Sequence, residues 1–147
     1  NAFIPEAVVL PILVFVGISS YSQAFEVVDK KYFPAVIMAS LPVVMDFIVD
    51  NMREGALPGF TAFDPGSAFV GLLVGCVFVF IIDNNWKNAS ITNAAALALT
   101  GIGMIHSPGI LGTAAYAPDM GFVQVYIVLM IVFAVMHFVG FNQKKTA

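Results

Sequence analysis

Val8-Val9-Leu10-Pro11-Ile12-Leu13-Val14-Phe15-Val16 is the stretch on which the fold turns. Set on a helix it has no polar face, and a helix that is apolar all round belongs either in the core of a large soluble protein or in a membrane. Composition chooses between the two. Of 147 residues, 60% are apolar and 10% charged, with a mean hydropathy of +0.94, whereas a soluble domain carries roughly 25% charged residues. The solvent these numbers imply is lipid.

Working outward from that stretch, the apolar residues gather into five segments, Ala7 to Phe25, Tyr32 to Val49, Ser67 to Ile82, Ser90 to Ile105 and Gly121 to Phe141. A spanning helix takes about 20 residues, with a range of roughly 17 to 25. The first, second and fifth segments are long enough, and the third and fourth are slightly short, so they must borrow flanking residues or thin the bilayer. The expected fold is therefore all-α, a polytopic transmembrane helix bundle of about five spans filling residues 1–147 and leaving no soluble domain. The chain opens on Asn1 with no signal-peptide pattern, which suggests a fragment of a larger protein or a processed chain.

Basic loops stay on the cytoplasmic side of a membrane. With five spans, Lys30, Lys31, Lys87, Lys144 and Lys145 fall on one side and Arg53 on the other. This split puts the N-terminus outside and the C-terminus in the cytoplasm. The outer loops, Asp50 to Gly66 and His106 to Met120, are rich in proline and glycine and suit turns or re-entrant caps. Nine acids and six bases leave a net charge of -3, and the scattered bases make no positive stripe, so nucleic acid is excluded as a partner.

Polar residues inside a span are functional candidates by default. Ser19, Ser20, Ser22 and Gln23 follow one another near the inner end of the first span, where they line a polar path or, as small hydroxyl residues do, glue helices together. Asp46 lies toward the outer end of the second span, on one face with Asp50 and Arg53. It is either an outer gate or proton-linked carboxylate, or a hydrated helix end paired with Arg53. Gln23, Ser22 and Asp46 are thus the candidate substrate-binding residues. Gly71 and Gly75 form a small-xxx-small pair, and Ala94, Ala95, Ala96 and Ala98 offer a similarly slender surface; both read as packing. Pro11, Pro34 and Pro42 each remove an amide donor from their helices. Cys76 sits in an apolar run as a small hydrophobe. His106 and His137 are placed at opposite depths, roughly 24 Å apart along a helix rising 1.5 Å per residue, so they read as interfacial histidines rather than joint ligands of a haem or metal. No catalytic set, metal site or cofactor cradle is evident, and no enzymatic activity is expected.

Ile4-Pro5-Glu6-Ala7-Val8-Val9-Leu10-Pro11-Ile12-Leu13-Val14-Phe15-Val16-Gly17, followed by Ser22-Gln23-Ala24-Phe25, resembles the late helix of xanthine/uracil permeases, especially the adenine/guanine/hypoxanthine permease-like branch. Tyr32-Phe33-Pro34-Ala35-Val36 and Leu41-Pro42 look like that family's next helix, and Phe78-Val79-Phe80-Ile81-Ile82-Asp83 and Gly103-Met104-Ile105-His106-Ser107-Pro108 look like the tail of permease-like relatives. The resemblance implies two inverted seven-helix repeats, with a core domain that binds nucleobase and a gate domain that it moves against. The chain would supply the last helices of the second repeat and two further spans. It carries no substrate-contacting residue over, because those residues precede this region in the family. The partners implied are the lipid bilayer and the missing N-terminal transporter helices. If the chain is instead a non-catalytic structural subunit, its partners are other membrane subunits or a second copy of itself.

Overall fold

The computed structural model describes residues 6–51 and 66–140, and every regular element among them is helical. In chain order these are α1 (Glu6–Val27), a 3-10 turn (Lys30–Tyr32), α2 (Phe33–Asn51), α3 (Ser67–Ile82), α4 (Trp86–Gly101) and α5 (Met120–Phe138). Among the described residues, Lys30–Asp50 and Met120–Phe138 are long and apolar enough to cross a membrane, and Ser67–Ile82 is apolar but shorter. Phe141, the expected end of the fifth segment, and Arg53 lie outside the described residues.

Most helices coincide with the apolar segments, but α4 does not. Its apolar pattern runs from Ser90 to Ile105, whereas the helix runs from Trp86 to Gly101. The start is set by a cap: the Asn85 side chain accepts a hydrogen bond from the Asn88 amide at 3.2 Å, satisfying an amide that the first turn leaves over. Asn84, at φ +53, makes the preceding turn, a conformation asparagine tolerates. Hydropathy is blind to such a cap, because the first turn of α4 contains Lys87 and Asn88.

The helix ends alternate. Lys31 Nζ lies 2.9 Å from Asp83 Oδ1, and the Tyr32 hydroxyl donates to both Asp83 oxygens at 2.9 and 2.8 Å, which ties the start of α2 to the end of α3. At the other end Ser67, the first residue of α3, donates to the Asp46 carboxylate near the end of α2. Gly66 abuts Met104 and Ile105, just past the end of α4. The Ser90 hydroxyl donates to the Met130 carbonyl at 3.1 Å, and Trp86 at the start of α4 stacks on Phe133 near the end of α5 at 6.1 Å. Helices α2 to α5 therefore run up and down, each antiparallel to the next.

Small residues set how closely these helices approach. A Cβ added at Gly75 would sit 2.9 Å from the Ala39 Cβ, and one at Gly71 would run into the Ala39 carbonyl oxygen. The pair read from the sequence as packing is thus the seam between α2 and α3. On α4 the buried residues are Trp86, Ala89, Asn93, Ala96 and Thr100, alternately three and four apart, which is the seam spacing of a helix packed in a bundle. Of the four alanines expected to form a slender packing surface, Ala96 is buried, while Ala95 and Ala98 are exposed. The slender face is one stripe wide because a helix turns neighbouring residues away from each other. Trp86, Ala89 and Phe133 form a core cluster joined by Phe80, Ile81 and Leu129.

Outside that core the surface is oily. Phe15 is 71% exposed and Leu72 65%. Helix α1 stands furthest out: none of its described side chains is buried, and it meets the bundle where Phe25 packs edge-on against Phe33 at 4.8 Å.

Candidate functional site

The three side chains singled out in the sequence do not converge. Ser22 and Gln23 are exposed on α1, a few residues before the Lys30–Tyr32 turn. Asp46 is half-buried at the opposite end of the bundle, where it accepts the Ser67 hydroxyl. Asp50, its neighbour one turn on, is exposed. Asp46 therefore joins two helix ends, and it shares no site with Gln23.

At that same end, residues 102–119 fold into a cap. Leu111 N donates to the Ile102 carbonyl at 2.9 Å, and Asp119 N to the His106 carbonyl at 2.9 Å. The Ser107 hydroxyl donates to the Gly109 carbonyl at 2.7 Å and accepts from Ala117 N at 3.2 Å. Tyr116 pins the far side, its hydroxyl donating to the Gly101 carbonyl at 2.7 Å. These bonds supply the backbone partners that a loop folded against a bundle needs. Asp119 then starts α5 by accepting from Gly121 N at 2.7 Å.

His106 is the pivot of this cap. It was expected to lie at the interface as the end of an apolar segment; in the fold the residue is 2% exposed. Its backbone takes φ +54, which few non-glycine residues adopt. The turn drives the ring into the bundle, where it stacks on Phe122 at 3.8 Å and 11°. Its Nε2 lies 2.9 Å from the Tyr126 hydroxyl. A residue ending an apolar segment on a Gly-rich turn is steered inward by the backbone, which hydropathy does not register. His137 is exposed near the end of α5.

Sequence reasoning passed over Asn93. It is 2% exposed, on the buried stripe of α4, and its Nδ2 donates to the Ala89 carbonyl at 2.9 Å. Together with Tyr126 it lines a partly enclosed cavity of about 110 Å³ whose other walls include Leu73, Val77, Phe78 and Leu129. No family model, curated protein or solved structure matches the chain. The chemistry of the site is therefore read from its own atoms. Asn93 and Tyr126, set among hydrocarbon side chains with no charged one among the described lining residues, suit hydrogen bonding to a neutral group. They do not suit proton transfer between charged partners.

A second cavity, an open groove of about 430 Å³, is lined by residues of α2 and α3, Ala39 and Gly75 among them, and by Val28 and Tyr32. Cys76 lines it and is half-buried. Its wall is hydrocarbon almost throughout.

Proposed function

We propose that the chain works within a membrane as gate and scaffold helices of a secondary transporter of the xanthine/uracil permease kind. In this reading all five helices cross the bilayer, with the N-terminus outside and the C-terminus in the cytoplasm. Alternating access arises as this group of helices rocks against a substrate-binding group supplied elsewhere. The observation that carries the reading is the alternation of helix ends beneath an apolar surface: the Lys30–Tyr32 turn and the Asp83 turn meet at one end, and Ser67 and the 102–119 cap meet at the other. Lys30, Lys31 and Lys87 all belong to the first of these ends, as the rule for basic loops requires of a cytoplasmic face. The sequence resemblance supplies the substrate class. The test is uptake of labelled xanthine, uracil, adenine and guanine by cells expressing the complete gene product. Saturable accumulation of one of them is expected, and accumulation no greater than in control cells for all four would refute the assignment.

A structural-subunit reading draws on α1, whose described side chains are all unburied by the rest of the chain. Ser20, Ser22 and Gln23 are exposed on it, and polar groups in a span are satisfied by neighbouring helices. A fixed partner subunit or a second copy would cover them. Co-purification in constant stoichiometry with other membrane proteins, without uptake of any of the four bases, is the result that would favour this reading over transport.

A further inference from the structure

We infer that the cavity beside Asn93 is a binding site for a small neutral molecule that presents an amide-type edge, an N–H donor next to a carbonyl acceptor. Three observations meet there. First, an asparagine occupies a fully buried position on the seam of α4, where the neighbouring seam residues Ala89 and Ala96 are apolar. A buried polar group is costly unless its hydrogen bonds are made. Second, Asn93 makes one such bond within the described residues, from Nδ2 to the Ala89 carbonyl. An asparagine amide has two donor hydrogens and a carbonyl oxygen, so one N–H and the oxygen remain for a partner. Third, the side chain lines a cavity, about 110 Å³ in volume, whose wall also includes Tyr126, the residue whose hydroxyl lies 2.9 Å from His106 Nε2.

Size and polarity narrow the ligand. An apolar cavity of about 150 Å³ stays dry and accepts benzene; the smaller space here, with an amide on its wall, fits a short primary amide or a molecule of like shape. With no charged residue among the described lining residues, the site favours a neutral molecule over an ion, whose desolvation these side chains would not offset. Such a molecule pairs its N–H with Asn93 Oδ1 and its carbonyl oxygen with the remaining Nδ2 hydrogen, and rests its apolar remainder on Leu73, Val77 and Leu129. The site belongs to α3, α4 and α5 and does not depend on the transport reading.

The test is fluorine NMR of trifluoroacetamide with the full chain in detergent micelles, with empty micelles and competing acetamide as controls. The expected result is saturable broadening that acetamide displaces, weakened about tenfold or more in Asn93→Leu, the loss that removal of a buried hydrogen-bonding pair produces. Asn93→Leu should unfold at the same or a higher temperature than the parent, because it replaces an incompletely bonded amide with hydrocarbon. Ala96→Val keeps the amide and narrows the cavity, and it should also weaken binding; it serves if Asn93→Leu does not fold. Linear partitioning identical to empty micelles, or equal binding by the parent and both variants, would overturn the site. Displacement by acetamide that persists unchanged in Ala96→Val would overturn it as well.

Discussion

Glycine 71 shows what a single hydrogen atom in place of a methyl does in this chain. Its backbone touches the Ala39 carbonyl so closely that any Cβ must push α2 and α3 apart. Gly71→Leu should therefore destabilise the pair by about 1–3 kcal/mol, the usual cost of overpacking, read as a lower unfolding midpoint in detergent. A variant as stable as the parent would show that the two helices do not meet there. Asp46 permits a cleaner separation of roles. Asp46→Asn keeps an oxygen to accept the Ser67 hydroxyl and should change stability little, whereas Asp46→Ala strips that acceptor from the buried Ser67 and should cost about 1 kcal/mol. Equal loss in both variants would mean that the charge itself, rather than the hydrogen bond, holds this end. At this scale the sequence is legible where chemistry is carried by spacing: Gly71 and Gly75 are four apart and declare a helix seam. Asn93 is not legible in the same way. It sits among alanines, and only the alternating spacing of Trp86, Ala89, Asn93, Ala96 and Thr100 marks it as facing inward.

The elements were legible in proportion to how far apolar composition, rather than capping, set their limits. The apolar run Ser67 to Ile82 and helix α3 share their ends, with Gly66 at one cap and Asp83 at the other. Helix α4 begins earlier than its apolar run because the Asn85 cap fixes its first turn. The 102–119 cap had a readable composition and an unreadable conformation, which depends on His106 at φ +54 and on bonds between residues far apart in the loop. Removing the Tyr126 hydroxyl from His106 Nε2 should loosen that cap first. In Tyr126→Phe the Asp119 amide, which donates to the His106 carbonyl, should exchange its hydrogen several-fold faster than in the parent, while amides in the middle of α3 stay unchanged. Uniform acceleration throughout would indicate global destabilisation and count against a local pivot. The opposite end carries a pH signature. Lys31 and the Tyr32 hydroxyl hold the Asp83 carboxyl below its ordinary range. Folding thus favours the charged form, and the contribution is present at neutral pH and is lost as pH falls below the usual aspartate value of about 3.9 through the lowered one. Asp83→Asn should flatten this acid limb of stability against pH; an unchanged limb would mean that the three side chains are not coupled in solution.

For the whole molecule the consequential question is whether its ends sort onto two sides of a membrane. The geometry ties the Lys30–Tyr32 turn to the Asp83 turn, and Gly66 to the segment after α4, so any bilayer placed across the bundle must leave Lys30 and Lys87 together and Thr113 apart from them. In the proposed reading the bases add a direction, with Lys30 and Lys87 on the cytoplasmic face. Cys76 is the sole cysteine, so a Cys76→Ser background carrying Lys30→Cys, Lys87→Cys or Thr113→Cys reports each end separately. All three positions are exposed. A membrane-impermeant maleimide added to intact cells should modify Thr113→Cys alone, and should reach the other two only after the membrane is opened. The outcomes bear on different steps of the argument. Labelling of Lys30→Cys and Lys87→Cys but not Thr113→Cys would reverse the sidedness and leave the up-and-down path intact. Labelling that separates Lys30→Cys from Lys87→Cys would break the path itself, because α2 and α3 would then no longer return the chain to the side from which it left, and the alternation on which the transporter reading depends would be gone.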